Sequence, residues 1–206
     1  GGYIASTTMR NADVKKVSNN EIEGSFDTYG RHWGGPENVK VHFVIRFDKD
    51  FERLDGWRDK ERYSDIDTLQ GSSIITRRHP KEELSYLDSP TSGVSAHYRV
   101  KTGDKICVRT AISYVSVDNA RENLENDAVT WDFDLVKKTS QDEWNKWLGR
   151  IEVKGGSQKQ RTKFYTDLWH VLLGRHKIDD VNGEYPDLTE GERYYSYTRN
   201  IHPKTR

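Results

Sequence analysis

Two closely spaced pairs of carboxylates are the side chains of this sequence that could do chemistry. Asp132 and Asp134 are two residues apart, and Asp179 and Asp180 are adjacent. Hydrolysis of a glycosidic bond needs two carboxyl groups, one as an acid and one as a base on opposite sides of the bond. An inverting enzyme holds them roughly 6.5–9.5 Å apart across a sugar ring, a span that neighbours on one segment seldom reach. A structural role is therefore the alternative for each pair.

The residues after Asp132 indicate such a role for the first pair. Apolar side chains from Phe133 to Leu148 recur on one helical face, and Gly149 follows as a stop signal. Acidic residues at the beginning of a helix cap its free N–H groups and stabilise its dipole. We therefore predict a helix from Phe133 to Leu148 in which Asp132 and Asp134 serve as cap and first turn.

The second pair belongs to a short polar stretch that resembles part of a calcium-binding loop. An EF-hand loop needs oxygen ligands at its first, third, fifth and twelfth positions and a glycine at the sixth. With Gly183 at the sixth position, Asp180 and Asn182 are placed correctly, but Ile178 and Thr189 occupy the first and twelfth. The stretch fails as an EF-hand. We predict a polar turn after a helix, with Gly183 in the left-handed conformation.

Three aromatic or imidazole side chains are candidates for contact with a sugar. His32 and Trp33 precede two glycines on a predicted loop, and Trp57 follows the predicted turn at Asp55 and Gly56. Rings on loops can stack against a sugar and donate hydrogen bonds to it, and loops often carry function. The alternative is that these rings are half-buried packing anchors.

An antiparallel β-sandwich is the element that would position such loops. In the clearest strand, residues 39–47, alternation predicts a buried face through Phe43 and a wetter face that includes Val44. The other predicted strands cover residues 3–9, 21–26, 72–76, 95–100 and 105–117, and the predicted loops cover 58–69 and 77–93. Turns are predicted at 19–20, 34–36, 55–56 and 102–104. Many short strands between turn signals favour a sandwich over a parallel sheet.

The second half of the chain is predicted to be helical. A short helix is expected over residues 118–126, where Ala120 and Leu124 share a face, and a longer one over 159–173. Residues 150–154 alternate between two glycines, so we predict a strand that returns to pair with the sandwich. Trp144 and Leu148 lie on one helical stripe and are expected to be mostly buried.

Composition gives no support to two classes of partner. The 33 basic and 33 acidic residues balance, and no long run of one sign appears, so nothing favours nucleic acid. No stretch of eighteen apolar residues exists, so no membrane span is predicted.

Several blocks of the sequence, in their order, resemble glycoside hydrolase family 92, the bacterial, calcium-dependent exo-α-mannosidases. They are ISYVS at 112–116, NL at 123–124, WDFD at 131–134, LGRIEV at 148–153, FY at 164–165 and DVNGEY at 180–185. The resemblance implies a β-sandwich over 1–117, a helical linker with a return strand over 118–156, and the beginning of an α/α barrel over 157–206. Most of the barrel, with the acid, the base and the calcium ligands, is expected beyond Arg206.

The resemblance also implies a function. A full-length enzyme of this kind removes terminal α-linked mannose from glycans by inverting hydrolysis, with calcium binding the sugar's O2 and O3, and acts outside the cytoplasm. Its partners would be mannose-containing glycans and the remaining catalytic domain; the 206-residue chain alone is expected to be inactive. Two alternatives stay open: a carbohydrate-binding sandwich without catalysis, and a structural sandwich whose helical tail docks to a partner.

Overall fold

The computed structural model describes residues 8–29, 38–58, 60–71, 92–127, 129–173, 178–187 and 200–202. These residues form ten strands and three helices in two compact units, one of residues 1–129 with 179–206 and the other of residues 130–178. The strands are β1 (Thr8–Ser18), β2 (Glu21–Tyr29), β3 (Asn38–Phe47), β4 (Arg53–Arg58), β5 (Glu61–Tyr63), β6 (Thr68–Gln70), β7 (Ser92–His97), β8 (Val108–Ser113), β9 (Tyr185–Asp187) and β10 (Asn200–His202). The helices are α1 (Val117–Asp127), α2 (Phe133–Leu148) and α3 (Gln158–Leu173).

Three antiparallel sheets make up the β part of the first unit. Five strands form the larger sheet in the order β6-β1-β2-β3-β8, three form a second sheet in the order β5-β4-β7, and β9 pairs with β10. The turn predicted at 19–20 joins β1 to β2. Asn11 has a φ of 49° where the β1 register shifts, so an irregularity interrupts the ladder there.

A hydrophobic core fills the space between the two larger sheets. Ile22 of β2, Leu54 of β4 and Phe51, which precedes β4, are at most 3% exposed. Partly buried side chains from both sheets pack around them: Val14, Ile45, Phe47, Ile66, Val94, Ala96 and Tyr98. Facing sheets that share a core are what defines a sandwich, so the predicted fold class is confirmed.

Helix α1 covers the opposite face of the five-stranded sheet. Ala120 and Leu124 share a helical face, as predicted, and both are fully buried against Val44 of β3. The prediction that the Val44 face is the wetter one is therefore wrong at this position. Alternation along a strand identifies two faces but does not show that a later helix will cover one of them.

Some predicted strands and turns are displaced in the structure. Residues 55–56 lie inside β4 rather than in a turn. Ile66 and Leu69 pack so close to Gly56 that a side chain there would collide with them, so the glycine serves close packing and not a turn. The predicted loop 58–69 contains β5 and the start of β6. The strands predicted at 95–100 and 105–117 are observed at Ser92–His97 and Val108–Ser113. The segments 3–7 and 72–76 lie outside the described residues.

The second unit contains α2 and α3. Helix α2 has the predicted bounds, and Asp132 caps it by accepting a hydrogen bond from the Leu135 amide at 3.0 Å. Asp134 is exposed in the first turn. The structural interpretation of this acidic pair is therefore correct. None of the helices in the described part of the chain is both long and apolar enough to cross a membrane.

The strand predicted at 150–154 does not form. These residues are irregular and lie in no ladder, because the Tyr165 hydroxyl of α3 bonds their backbone instead. It donates to the Ile151 carbonyl at 3.0 Å and accepts from the Val153 amide at 3.3 Å. A side chain thus supplies the partner that a neighbouring strand would have provided.

The prediction that Trp144 and Leu148 are mostly buried is only partly met. Both are half-buried, and neither α2 nor α3 has a buried residue. The Trp144 ring packs against Trp169 of α3, with 6.0 Å between ring centroids. Several apolar side chains of the unit remain exposed: Phe133, Leu135, Val136, Trp147, Ile151, Val171 and Leu173.

Candidate functional site

A buried polar cluster lies in the first unit where β8 ends, α1 begins and residues 180–184 return to the sheet. Strand β8 ends at Ser113, and Ser116 caps α1 by accepting a hydrogen bond from the Asn119 amide at 3.0 Å. Positions 119 and 123 are four apart, so a helix places both asparagines on one side. Ser113, Asn119 and Asp180 are at most 7% exposed.

Residues 180–184 form the polar turn that the sequence predicted. The Gly183 amide donates to the Asp180 carbonyl at 2.8 Å, and the Asp180 amide donates to the Glu184 carbonyl at 2.8 Å. Gly183 has a φ of +84°, the left-handed conformation that favours glycine. The predicted turn and its conformation at Gly183 are confirmed.

The Asp180 carboxylate accepts three hydrogen bonds from neutral groups. Its Oδ2 accepts from the Ser113 hydroxyl at 2.7 Å and from Asn119 Nδ2 at 2.8 Å. Its Oδ1 accepts from Asn123 Nδ2 at 2.7 Å. Both oxygens of this buried side chain are therefore engaged by neutral donors.

The two asparagines connect this carboxylate to the backbone around it. Asn123 Nδ2 also donates to the Ile112 carbonyl at 2.9 Å, and its Oδ1 accepts from the Val181 amide at 2.9 Å. Asn119 Nδ2 also donates to Glu184 Oε2 at 2.8 Å. Asn123 thus joins strand, helix and turn through a single side chain.

The geometry of this cluster does not suit the acid–base pair of an inverting hydrolase. Asp180 Oδ2 and Glu184 Oε2 are each 2.8 Å from the same Asn119 nitrogen. Their separation is therefore at most twice that distance, which is short of the roughly 6.5 Å that inversion requires. Three side-chain donors already occupy most of the acceptor sites of the Asp180 carboxylate.

The Asp180 cluster also does not fit a calcium ion. Calcium takes six to eight oxygen ligands, whereas the groups that face Asp180 are N–H and O–H donors. Within the described ranges, no group of three or more His, Cys, Asp or Glu side chains could hold a metal.

The predicted sugar-contact residues are placed only in part. His32 and Trp33 lie outside the described residues. Trp57 lies half-buried in β4, opposite Gly93 of β7 in the ladder. Its six-membered ring lies across Gly93, where a Cβ would be 2.4 Å from Cζ2, so part of the indole packs on the neighbouring strand. Contact between these three residues and a sugar stays a prediction.

A shallow groove in the second unit was not anticipated from the sequence. Its volume is about 500 Å³, and it is lined by Leu148, Gln158, Arg161, Thr162, Tyr165, Thr166 and Trp169. The mixture of aromatic rings, hydroxyls and a guanidinium could stack against and hydrogen-bond a sugar.

The buried polar cluster was also missed as a unit, although a signal for it was present. Ser113, Asn123, Asp180 and Glu184 all fall within blocks that carry the family resemblance. What a single sequence does not reveal is that these blocks converge, since 57 to 67 residues separate Asp180 from its partners.

Two family models match adjoining parts of the chain. The glycosyl hydrolase family 92 N-terminal domain matches residues 1–113, and the glycosyl hydrolase family 92 catalytic domain matches residues 119–206. Ser113 is the last residue of the first match and Asn119 the first of the second, so the polar cluster joins the two matched segments.

Similar solved structures cover nearly the whole chain. A family 92 inverting mannosidase from Bacteroides thetaiotaomicron has a TM-score of 0.64 at 20% identity, over 94% of this chain and 23% of its own. A family 92 α-mannosidase from the same organism has a TM-score of 0.68 at 21% identity, over 97% of this chain and 23% of its own. The latter enzyme has also been solved in complex with mannoimidazole.

One curated relative matches a shorter stretch of the chain. An uncharacterized secreted glycosidase of Arthroderma benhamiae is 27% identical over 96 residues, which is 44% of this chain and 12% of the relative. The chain therefore spans under a quarter of the length of the solved mannosidases and about an eighth of this relative.

Proposed function

Because the chain belongs to glycosyl hydrolase family 92, we propose that this protein removes terminal α-linked mannose from glycans. The observation that carries the proposal is the order of the two family matches, N-terminal domain and then catalytic domain, over residues 1–113 and 119–206. The solved proteins that share the fold are mannosidases, and one binds mannoimidazole.

The reaction we propose is inverting hydrolysis. In it, a carboxylate base activates water on one face of the sugar while a carboxylic acid protonates the leaving oxygen on the other. The calcium implied by the family resemblance would supply electrostatic stabilisation to the bound sugar. Since the polar cluster does not suit an acid–base pair, and the described residues hold no group of three or more metal-binding side chains, we place the acid, the base and the calcium ligands outside the described residues.

The part played by the described residues is to build and orient the site. The sandwich supplies a rigid wall, and the Asp180 cluster ties residues from the catalytic-domain match to the last strand of the N-terminal-domain match. Rigid support of this kind matters because catalytic geometry tolerates little displacement. Trp57, together with His32 and Trp33 from outside the described residues, remains a candidate sugar contact. An extracytoplasmic location is proposed as well, supported by the secreted relative.

Mannose release tests the proposal. The full-length protein should release mannose from α-mannosides and lose that activity to a calcium chelator, with recovery when calcium is added back. The 206-residue chain should release none with or without calcium. A full-length protein that is inert on α-mannosides would contradict the assigned activity, whereas release by the 206-residue chain would mean that the active site has been placed in the wrong region.

A carbohydrate-binding role without catalysis is the second candidate. The groove on α3, with Tyr165 and Trp169 beside Arg161 and two threonines, is the observation that favours it. Binding of a mannose-containing glycan to the 206-residue chain, abolished by Trp169→Ala and combined with an inert full-length protein, would select this function.

A further inference from the structure

The chain leaves the first unit after α1 and re-enters it at residue 179, having formed the separate unit of residues 130–178. The Asp180 cluster lies at this point of return. Strand β9 begins at Tyr185, directly after the turn, so whatever fixes the turn also fixes where the β9–β10 hairpin starts.

One side chain contacts all three elements that meet there. Asn123 donates to Asp180 Oδ1 and to the Ile112 carbonyl, and it accepts from the Val181 amide. These three bonds use both N–H groups and the oxygen of the amide. Aspartate lacks the donors and an aliphatic residue lacks every polar group, so the position requires an amide of this length.

We propose that Asn123 is a positioning residue that sets the location of the 180–184 turn and its hairpin against the end of β8. For catalysis the inference rests on the proposed function, because the turn belongs to the catalytic-domain match and Ile112 to the N-terminal-domain match. Asn123 acts on the reaction through the turn and does not touch the sugar. A polar network of this kind, buried at Asp180 and half-buried at Asn123, specifies one arrangement among several that apolar packing would allow.

The test uses Asn123→Asp with Asn126→Asp as its matched control. The first variant has nearly the same shape, but it removes both donors and places a second carboxylate beside Asp180. Asn126 lies on the same helix, is exposed and bonds only the carbonyl of Glu122 one turn earlier among the contacts described. Amide hydrogen exchange at Val181 and Gly183 should accelerate on the order of tenfold or more in Asn123→Asp and remain unchanged in Asn126→Asp.

A reciprocal exchange keeps the test decisive if the single variant loses its fold. In the double variant Asn123→Asp with Asp180→Asn, the new amide donates to the new carboxylate, while its oxygen still accepts from Ser113 and Asn119. The donor to the Ile112 carbonyl is not restored, so protection of Val181 and Gly183 should return in part. Unchanged exchange in Asn123→Asp, or a double variant as fast as the single one, would overturn the proposal.

Kinetics of the full-length protein test the catalytic part separately. Asn123→Asp should lower kcat/KM on an α-mannoside on the order of tenfold or more, because a displaced segment misplaces catalytic groups. Asn126→Asp should leave it unchanged. Retained kcat/KM in Asn123→Asp would overturn the catalytic part. If the unaltered full-length protein is inert, the proposed function fails, while the exchange measurements still decide whether Asn123 positions the turn.

Discussion

Arg121 of α1 forms ion pairs with Glu21 of β2, although 100 residues separate them in sequence. Glu21 is 7% exposed, and Arg46 of β3 binds its other carboxylate oxygen at 2.6 Å. Burial opposes the charge of Arg46, but its bonds to Glu125 and Glu21 outweigh that effect and raise its pKa. The helix is thus fixed to the sheet by charges as well as by the apolar contacts of Ala120 and Leu124.

Removing Arg121 should therefore destabilise the first unit. Arg121→Met leaves the buried Glu21 with one cation fewer. We expect the free energy of unfolding to fall by about 2–4 kcal/mol. This loss is smaller than for a fully buried ion pair because Arg121 is partly exposed. Lys138→Met is the control, since its pair with Asp142 is exposed on α2 and should contribute less than about 1 kcal/mol. Equal losses in the two variants in urea unfolding would refute this role.

Truncation of Leu124 tests the apolar part of the same contact. Its side chain is fully buried between α1 and the sheet, so Leu124→Ala should cost about 2–5 kcal/mol in thermal or urea unfolding. Leu135 is 52% exposed on α2, and its replacement by alanine should cost far less. A Leu124→Ala protein as stable as the parent would show that α1 does not cover this face.

Acid should weaken the three-stranded sheet through Asp55. The Asp65 amide, 3.0 Å from Oδ1, is the largest cause that lowers the pKa of Asp55 to about 2 from its usual 3.8, with Arg53 and Ser64 contributing. A lowered carboxyl pKa stabilises the fold above pH 3.8, and this contribution is lost as the pH falls through about 2. Asp55→Asn should show a smaller loss of stability over that interval; an identical acid profile would contradict the assignment.

The Tyr165 hydroxyl should hold the segment after α2. Tyr165→Phe removes the partner of the Ile151 carbonyl and of the Val153 amide, so the Val153 amide hydrogen should exchange with solvent more readily. The expected cost in stability is only about 0.5–1.5 kcal/mol because the segment is largely exposed. Local amide exchange at Val153 is the measurement, and protection equal to that of the parent protein would contradict the contact.

Local periodicity was enough to predict some of the regular elements. A period near 3.6 gave α2 its bounds, and a period of two identified β3, because each pattern reflects one buried face. The predicted cap at Asp132 and the turn at Gly183 were also correct, since both depend on interactions within a few residues.

Contacts between distant segments explain what the sequence could not predict. The run at 150–154 has the alternation of a strand, but a strand must pair with a neighbouring strand. Here the Tyr165 hydroxyl bonds the backbone of the run instead. The polar segment that contains β5 offered no alternation to recognise, because its order comes from pairing with β4. The role of Asn123 depends on a turn 57 residues away, which no local pattern encodes.

The anomer that the full-length protein releases from an α-mannoside tests the proposed activity most directly. Inversion places the new hydroxyl on the opposite face of the sugar, so time-resolved proton NMR should show β-mannose first and α-mannose only later, as the sugar equilibrates in water. Initial release of α-mannose would contradict the inverting mechanism, and the absence of any mannose would contradict the mannosidase function itself.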